Sequence, residues 1–314
     1  MKYIARKTII LLLTLFLVSV VAFVAFHIVP GDPAMMILGT EASQERLEAL
    51  REELGTNKPL TEQYADWIGG IFHGDLGNSI KYKQPVVSLL AGRVQVTVIL
   101  GCMVMAITLL VGIPLGIFAA HKKNTWLNPV INLFTMLGIS IPGFFLSILM
   151  IWIFGLILKW FTPGQYVSYQ DNIGGFFRFM IFPALSIALP ETTILVKYIR
   201  AAVITEQSAD YVRTARSKGN TETAILYRHI LKNAIVAIVP LIGMMIGSIF
   251  GGSLIVEQVY GVPGIGRLLI SSVTSRDFPL TQTLVLYIAA VIVLTNFLVD
   301  IIIQIIDPRI RLEK

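Results

Sequence analysis

Apolar residues fall into six long runs, at 9–26, 94–120, 127–158, 179–199, 234–256 and 280–306, separated by polar segments that hold most of the charge. The first run has 18 residues. The others have about 20 or more, and at ~1.5 Å per residue each reaches across about 30 Å of hydrocarbon. The pattern predicts six transmembrane helices in an all-α integral membrane fold. The third run is long enough to include a turn at the membrane interface. A basic start at Lys2, Arg6 and Lys7 before an apolar core is also the mark of a secretory leader. His27-Ile28-Val29-Pro30 offers no small-residue cleavage site, however, so the first run is expected to stay as a membrane helix.

The polar segments carry their own patterns. Residues 30–93 hold nine of the 19 acidic side chains and read as an external subdomain. Within it, 43–54 has the marks of a surface helix, with Ser43 to cap it, Glu45 near its start, a stripe of Leu47, Leu50 and Leu54, and Gly55 to end it. Residues 206–233 read as helix, turn, helix. Tyr211, Val212 and Ala215 share one face, and Arg213, Arg216 and Lys218 crowd the last turn, where cations complement the carbonyl end of a helix. Gly219 can take the left-handed conformation that stops the first helix. Asn220 or Thr221 can cap a second, whose apolar positions are Ala224, Ile225, Leu226, Ile230 and Leu231. An ordinary basic loop accounts for the amphipathicity equally well.

Lysine and arginine in the short connections orient the chain. One side collects 14 of them, from the N-terminus, Lys122 and Lys123, the stretch 200–232 and the C-terminal tail; the other holds Lys159, Arg178, Arg267 and Arg276. Both termini and the 206–233 segment are therefore expected in the cytoplasm. The resulting division is an N-terminal transmembrane helix at 1–29, the external subdomain at 30–93, a five-helix core at 94–306 that contains a cytoplasmic loop at 200–233, and a tail at 307–314.

Composition agrees with this reading. A chain of 314 residues that is 55% hydrophobic and 14% charged, with mean hydropathy +0.76, is too apolar for a soluble domain. The net charge of +6 sits beside apolar runs, so it reports topology rather than nucleic-acid binding. The lone cysteine, Cys102, lies within an apolar run and reads as a small buried hydrophobe. His27, His73, His121 and His229 have no metal-ligand spacing, no nucleophile constellation can be assembled, and the phosphate-cradling pattern G-x-x-x-x-G-K-[ST] is missing. Neither catalysis nor a metal or cofactor held by this chain is expected.

Ionised groups inside the runs are informative because each is costly in hydrocarbon. Glu191 follows Pro190 near mid-run with Lys197 beyond it, and Asp300 shares a helix face with Asn296 and Gln304. A proton or ion relay and a structural polar network both account for them. Gly243, Gly247 and Gly251, and again Gly112 and Gly116, recur at four-residue spacing, which lets a neighbouring helix approach closely. Pro114, Pro142, Pro183, Pro190 and Pro240 are expected to kink or end helices.

Ala215, Gly219, Arg228-His229 and Lys232-Asn233 together resemble the cytoplasmic loop of ABC importer permeases in the oligopeptide/dipeptide/nickel branch. Further elements resemble that branch in order. They are Pro30-Gly31-Asp32-Pro33, Gly74-Asp75-Leu76-Gly77-Asn78-Ser79, the stretch from Glu257 through Pro263-Gly264-Ile265-Gly266-Arg267 to Arg276-Asp277-Phe278-Pro279, and Asp307-Pro308-Arg309. The resemblance implies a type I importer permease, multi-pass in a bacterial or archaeal inner membrane, that moves short peptides by alternating access. It implies a second homologous permease, two ATPase subunits carrying ATP and magnesium, and an external substrate-binding protein. Ala215, Gly219, Thr221, Leu226, Tyr227, Arg228 and His229 would couple to the ATPase. Asp75, Glu257 and Arg267 would serve the external gate or contact the binding protein. Nickel chelates or other small solutes are alternative cargoes. An ion-coupled transporter using Glu191 and Asp300, and a membrane scaffold, are the alternatives from other classes.

Overall fold

The computed structural model describes residues 2–28, 33–39 and 42–306. Among these residues the regular elements are helices, and the only extended pairing is an isolated bridge between Asn78 and Pro85. In chain order they are α1 (Lys2–Ile28), α2 (Pro33–Leu38), α3 (Gln44–Glu53), α4 (Leu60–Phe72), α5 (Val86–Leu90), α6 (Arg93–His121), α7 (Leu127–Ser140) and α8 (Gly143–Met150). Then follow α9 (Ile173–Gln207), α10 (Asp210–Ser217), α11 (Glu222–Ile225), α12 (Leu231–Tyr260), α13 (Ile265–Thr274) and α14 (Phe278–Ile306). Short π-helical segments extend α8 and join α11 to α12. The chain forms two compact units, Met1–Val96 with Pro263–Val293, and Thr97–Val262 with Leu294–Lys314.

In the first unit, α4 is fastened to α1 by aromatic side chains. The Tyr64 hydroxyl hydrogen-bonds Ser19 Oγ at 2.7 Å, and the Phe23 ring meets Tyr64 edge-on at 5.3 Å and stacks on Trp67 at 6.1 Å. Contacts of this kind add about 0.5–1.5 kcal/mol each beyond the area they bury. Gly55, at φ +68°, ends the helix expected near 43–54, but the Ser43 hydroxyl makes no cap bond. Val86, Leu89 and Leu90 of α5 pack with Ile265 and Leu268 of α13 and Leu280 and Leu284 of α14. Beside them Asp277, fully buried, accepts hydrogen bonds from Ser79 Oγ at 2.5 Å and from the amides of Ile80 and Lys81.

In the second unit Pro142 ends a helix, as expected of it, and the third apolar run contains the turn its length allowed. The apolar run at 127–158 is not one rod, because α7 and α8 meet at 94° around Pro142. Proline disfavours helical backbone in the residue before it, and Ile141 is accordingly extended at ψ 116°. Pro183 and Pro190, by contrast, lie inside α9, which continues through both for 35 residues. Among the described residues five helices are long and apolar enough to cross a membrane, or six if the bent pair counts as one span.

Glycine sets how closely helices meet. A Cβ at Gly116 of α6 would lie 2.7 Å from Ile199 Cβ on α9, and one at Gly243 of α12 would lie 2.6 Å from Val299 of α14. Gly251, four-residue spacing notwithstanding, faces open space. Cys102 is exposed on α6 rather than buried, since lipid-facing positions of a span also favour apolar residues.

Candidate functional site

The segment 206–233 folds as a braced hairpin. Asp210 opens α10 at the end that favours an acid, and Arg216 closes it at the end that favours a base. Gly219 then turns the chain at φ +79°. The next two residues divide the work that either could have done. Asn220 closes the first helix, its Nδ2 donating to the Ala215 carbonyl at 3.0 Å, and Thr221 caps the second, its Oγ1 accepting from the Ala224 amide at 3.3 Å. Across the turn Arg216 grips Glu222 with two bonds, Nε to Oε1 at 2.6 Å and Nη2 to Oε2 at 3.0 Å. That grip raises the guanidinium pKa further above its ordinary value. Tyr211 donates to the Glu206 carboxylate, and burial first, then this bond, pushes its phenol up.

The hairpin has two distinct faces. Val212, Ala215, Ile225 and Ile230 are buried and share one apolar cluster with Leu195, Ile199 and Val203 of α9 and Ala234 and Ile238 of α12. Tyr227, Arg228 and His229 point outward, Tyr227 with 62% of its surface exposed. The hairpin is therefore continuous with the cores of two spans on one side and presents an aromatic and two basic groups on the other. Of the seven residues expected at the coupling site, Ala215 faces inward, Leu226 is half-buried, Gly219 and Thr221 form the turn, and the remaining three are on the outer face. Two polar ties flank it. Arg200 donates from Nη1 to Asn132 Oδ1 at 2.9 Å and from Nη2 to Asn128 Oδ1 at 2.5 Å, and Lys123 Nζ donates to Gln207 Oε1 at 2.9 Å.

The other expected residues are dispersed. Asp75 and Arg267 are exposed in the first unit, where an Asp75 oxygen accepts from the Gly77 amide at 2.9 Å. Glu257, in the second, is fully buried and accepts from Thr97 Oγ1 at 2.7 Å, so it presents no surface here. Glu191 is buried and accepts from Ser248 Oγ at 2.5 Å, which ties α9 to α12; Asn296 is exposed and Asp300 partly buried on α14. Pro30-Gly31-Asp32, the Asp307-Pro308-Arg309 ending and the His27 side chain lie outside the described residues. Among the described residues no group of three His, Cys, Asp or Glu side chains could hold a metal ion.

Sequence reasoning passed over two residues. Asp277 was read only as part of a loop pattern, although an aspartate one residue ahead of Phe-Pro at a helix start is a cap signal. Arg200 escaped notice because its partners, Asn128 and Asn132, are one helical turn apart on a different run.

Residues 112–312 match the family described as binding-protein-dependent transport system inner membrane component, and residues 1–101 match the N-terminal family of the same membrane components. The chain is 37% identical over 297 residues to a putative peptide transport system permease of Brucella abortus, covering 95% of each chain. It is 35% identical over 311 residues to the glutathione transport system permease of Escherichia coli strain K12, covering 99% of each. It is 33% identical over 309 residues to a probable peptide ABC transporter permease of Sinorhizobium fredii, covering 98% of this chain and 99% of that one. Among solved structures, an amino acid ABC transporter crystallised with histidines shares the fold at TM-score 0.50 and 21% identity, over 73% of this chain and 96% of that one.

Proposed function

The chain belongs to the family of binding-protein-dependent transport system inner-membrane components, and from that premise we propose that it is the permease for short peptides in an ATP-driven importer. It is a multi-pass inner-membrane protein of the ABC importer class. Peptide cargo is supported by the relatives, two of them named for peptides and one for glutathione, itself a tripeptide.

The observation that carries the reading is the two-faced hairpin at 206–233. Its outer face, with Tyr227, Arg228 and His229, suits a groove on an ATPase subunit. Its inner face shares a core with α9 and α12. A packed core does not deform gradually, so displacement of the outer face carries α9 and α12 with it. ATP and magnesium would act on two partner ATPase subunits, whose closure presses the hairpin and tilts the spans from inward-open to outward-open. A second homologous permease completes the pathway, and an external protein delivers the peptide. In this arrangement the hairpin and both termini are cytoplasmic, and this chain itself breaks no bond. Ala215 then transmits rather than touches, while Gly219 and Thr221 hold the lever's shape.

Affinity purification of the tagged chain from native membranes tests this, followed by ATP hydrolysis and uptake by the reconstituted assembly. ATPase subunits and a second permease are expected, with hydrolysis stimulated by the binding protein loaded with a tripeptide. Reversing the outer-face charge by Arg228→Glu is expected to reduce that stimulation. A chain that purifies alone and takes up solute on an ion gradient without ATP would overturn the proposal.

A further inference from the structure

A groove of about 500 Å³ opens in the second unit between α9 and the π-helical extension of α8, Ile151–Ile157, within the range of about 300–1,000 Å³ typical of small-ligand sites. Irregular backbone shapes one wall. The Leu158 amide donates to the Ile153 carbonyl at 2.9 Å and the Trp160 amide to the Phe154 carbonyl at 2.8 Å, and Lys159 between them takes φ +54°. Left-handed backbone is costly for a lysine, and π-helical turns of this kind gather at functional sites. Their result here is an aromatic surface, with the Phe154 ring 5.0 Å from that of Trp160 and 5.3 Å from that of Phe182. Along α9, Arg178, Ile181, Phe182 and Leu185 fall on one face and form the other wall, two turns or about 10 Å from first to last.

Arg178 is the one charged side chain in the lining, exposed and without a hydrogen bond or ion pair among the described residues. It stands just ahead of the apolar run at 179–199, and Lys159 and Trp160 stand just past the run at 127–158. Two basic side chains and an indole thus mark the edge of the hydrocarbon, at the end of α9 remote from the hairpin. From that edge the groove leads inward past Ile181, Phe182 and Leu185, which offer no polar side chain. These features choose the occupant. A peptide laid there would strand its amides against apolar side chains, whereas an alkyl chain has none to satisfy. A cation with no acidic side chain in the lining suits an anionic head, and the ammonium of a zwitterionic head would find no anion there. We propose that the groove holds one anionic phospholipid, its phosphate on the Arg178 guanidinium and one acyl chain along α9 from Ile181 to Leu185. The site stands apart from the hairpin, and the assignment depends neither on the cargo nor on the ATPase partners.

Native mass spectrometry of the protein in its purified assembly, equilibrated with phosphatidylglycerol and phosphatidylethanolamine of matched chains, tests the assignment. Phosphatidylglycerol is expected to be retained in preference. Arg178→Gln removes the charge and is expected to weaken that retention about tenfold, the loss of one charge-assisted bond. Leu185→Trp, filling the groove, is expected to release the lipid while Arg178 stays in place. Arg46→Gln, which removes an exposed cation of the first unit, is expected to leave retention unchanged. Equal retention by wild type, Arg178→Gln and Leu185→Trp would overturn the proposal, as would a preference for phosphatidylethanolamine. Displacement of the lipid by a free tripeptide would give the groove to the cargo instead, and loss of another permease chain from the Arg178→Gln assembly would give it to a partner subunit; either overturns the proposal. Arg178 is exposed and unpaired among the described residues, so its replacement leaves packing intact and decides the matter even if Leu185→Trp does not fold.

Discussion

Replacing Gly219 with alanine isolates what the turn contributes to the hairpin. The residue sits at φ +79°, and a Cβ built there meets nothing within 4 Å. The penalty is therefore conformational rather than steric, about 1–2 kcal/mol for an L-residue held in the left-handed region. Asparagine tolerates that region better than alanine, so Gly219→Asn costs less. Thr221→Ala removes the cap bond to the Ala224 amide, about 1 kcal/mol by the same reckoning for helix N-caps. Local opening is the event to measure, through hydrogen exchange of the α10 and α11 amides in the assembled complex. Each 1.4 kcal/mol is about a tenfold change, so Gly219→Ala is expected to speed exchange about fivefold to thirtyfold and Gly219→Asn by distinctly less. If alanine and asparagine proved indistinguishable from glycine at these amides, the left-handed turn would not be what shapes the hairpin, and the argument would fail.

Other outcomes follow from the packing. Gly116→Ala drives a Cβ to 2.7 Å from Ile199 Cβ, a rigid neighbour, and is expected to destabilise the assembly in detergent by about 1–3 kcal/mol, whereas Gly251→Ala, facing open space, leaves its thermal midpoint unchanged. Asp277→Ala strands the buried Ser79 hydroxyl, at about 1–3 kcal/mol, and releases the part-buried amides of Ile80 and Lys81, so trypsin is expected to cut at Lys81 and Lys83 faster in the variant than in the native protein. Glu191→Gln keeps an acceptor for Ser248, and ATP-driven uptake in proteoliposomes is expected to survive both this change and a proton ionophore; loss of uptake in either case would favour a relay.

Much of this was legible in the chain. Long apolar runs with few charges located the spans because a membrane tolerates little else, and Gly219 with Thr221 announced the turn because few residues take those conformations. Proline was less informative. Pro142 breaks its helix while Pro183 and Pro190 do not, since whether a helix survives a proline depends on what surrounds it, as α9's buried course illustrates. The same holds for Gly243 and Gly251, equal in pattern and unequal in what lies opposite. Arg200 with Asn128 and Asn132, and Asp277 with Ser79, join positions too far apart in sequence for any local pattern to pair.

That last separation governs when the protein can finish folding. Ser79 and Asp277 are 198 residues apart. At about 5–20 residues per second, a ribosome needs on the order of 10–40 s to make the second after the first. Until then the apolar side of α5, with Val86, Leu89 and Leu90, waits without the helices that will cover it. A segment from the first third of the chain is thus among the last to be secured. A chain stalled before α14 is expected to leave this clasp unclosed, with Ser79 unpartnered by Asp277 and the apolar side of α5 uncovered.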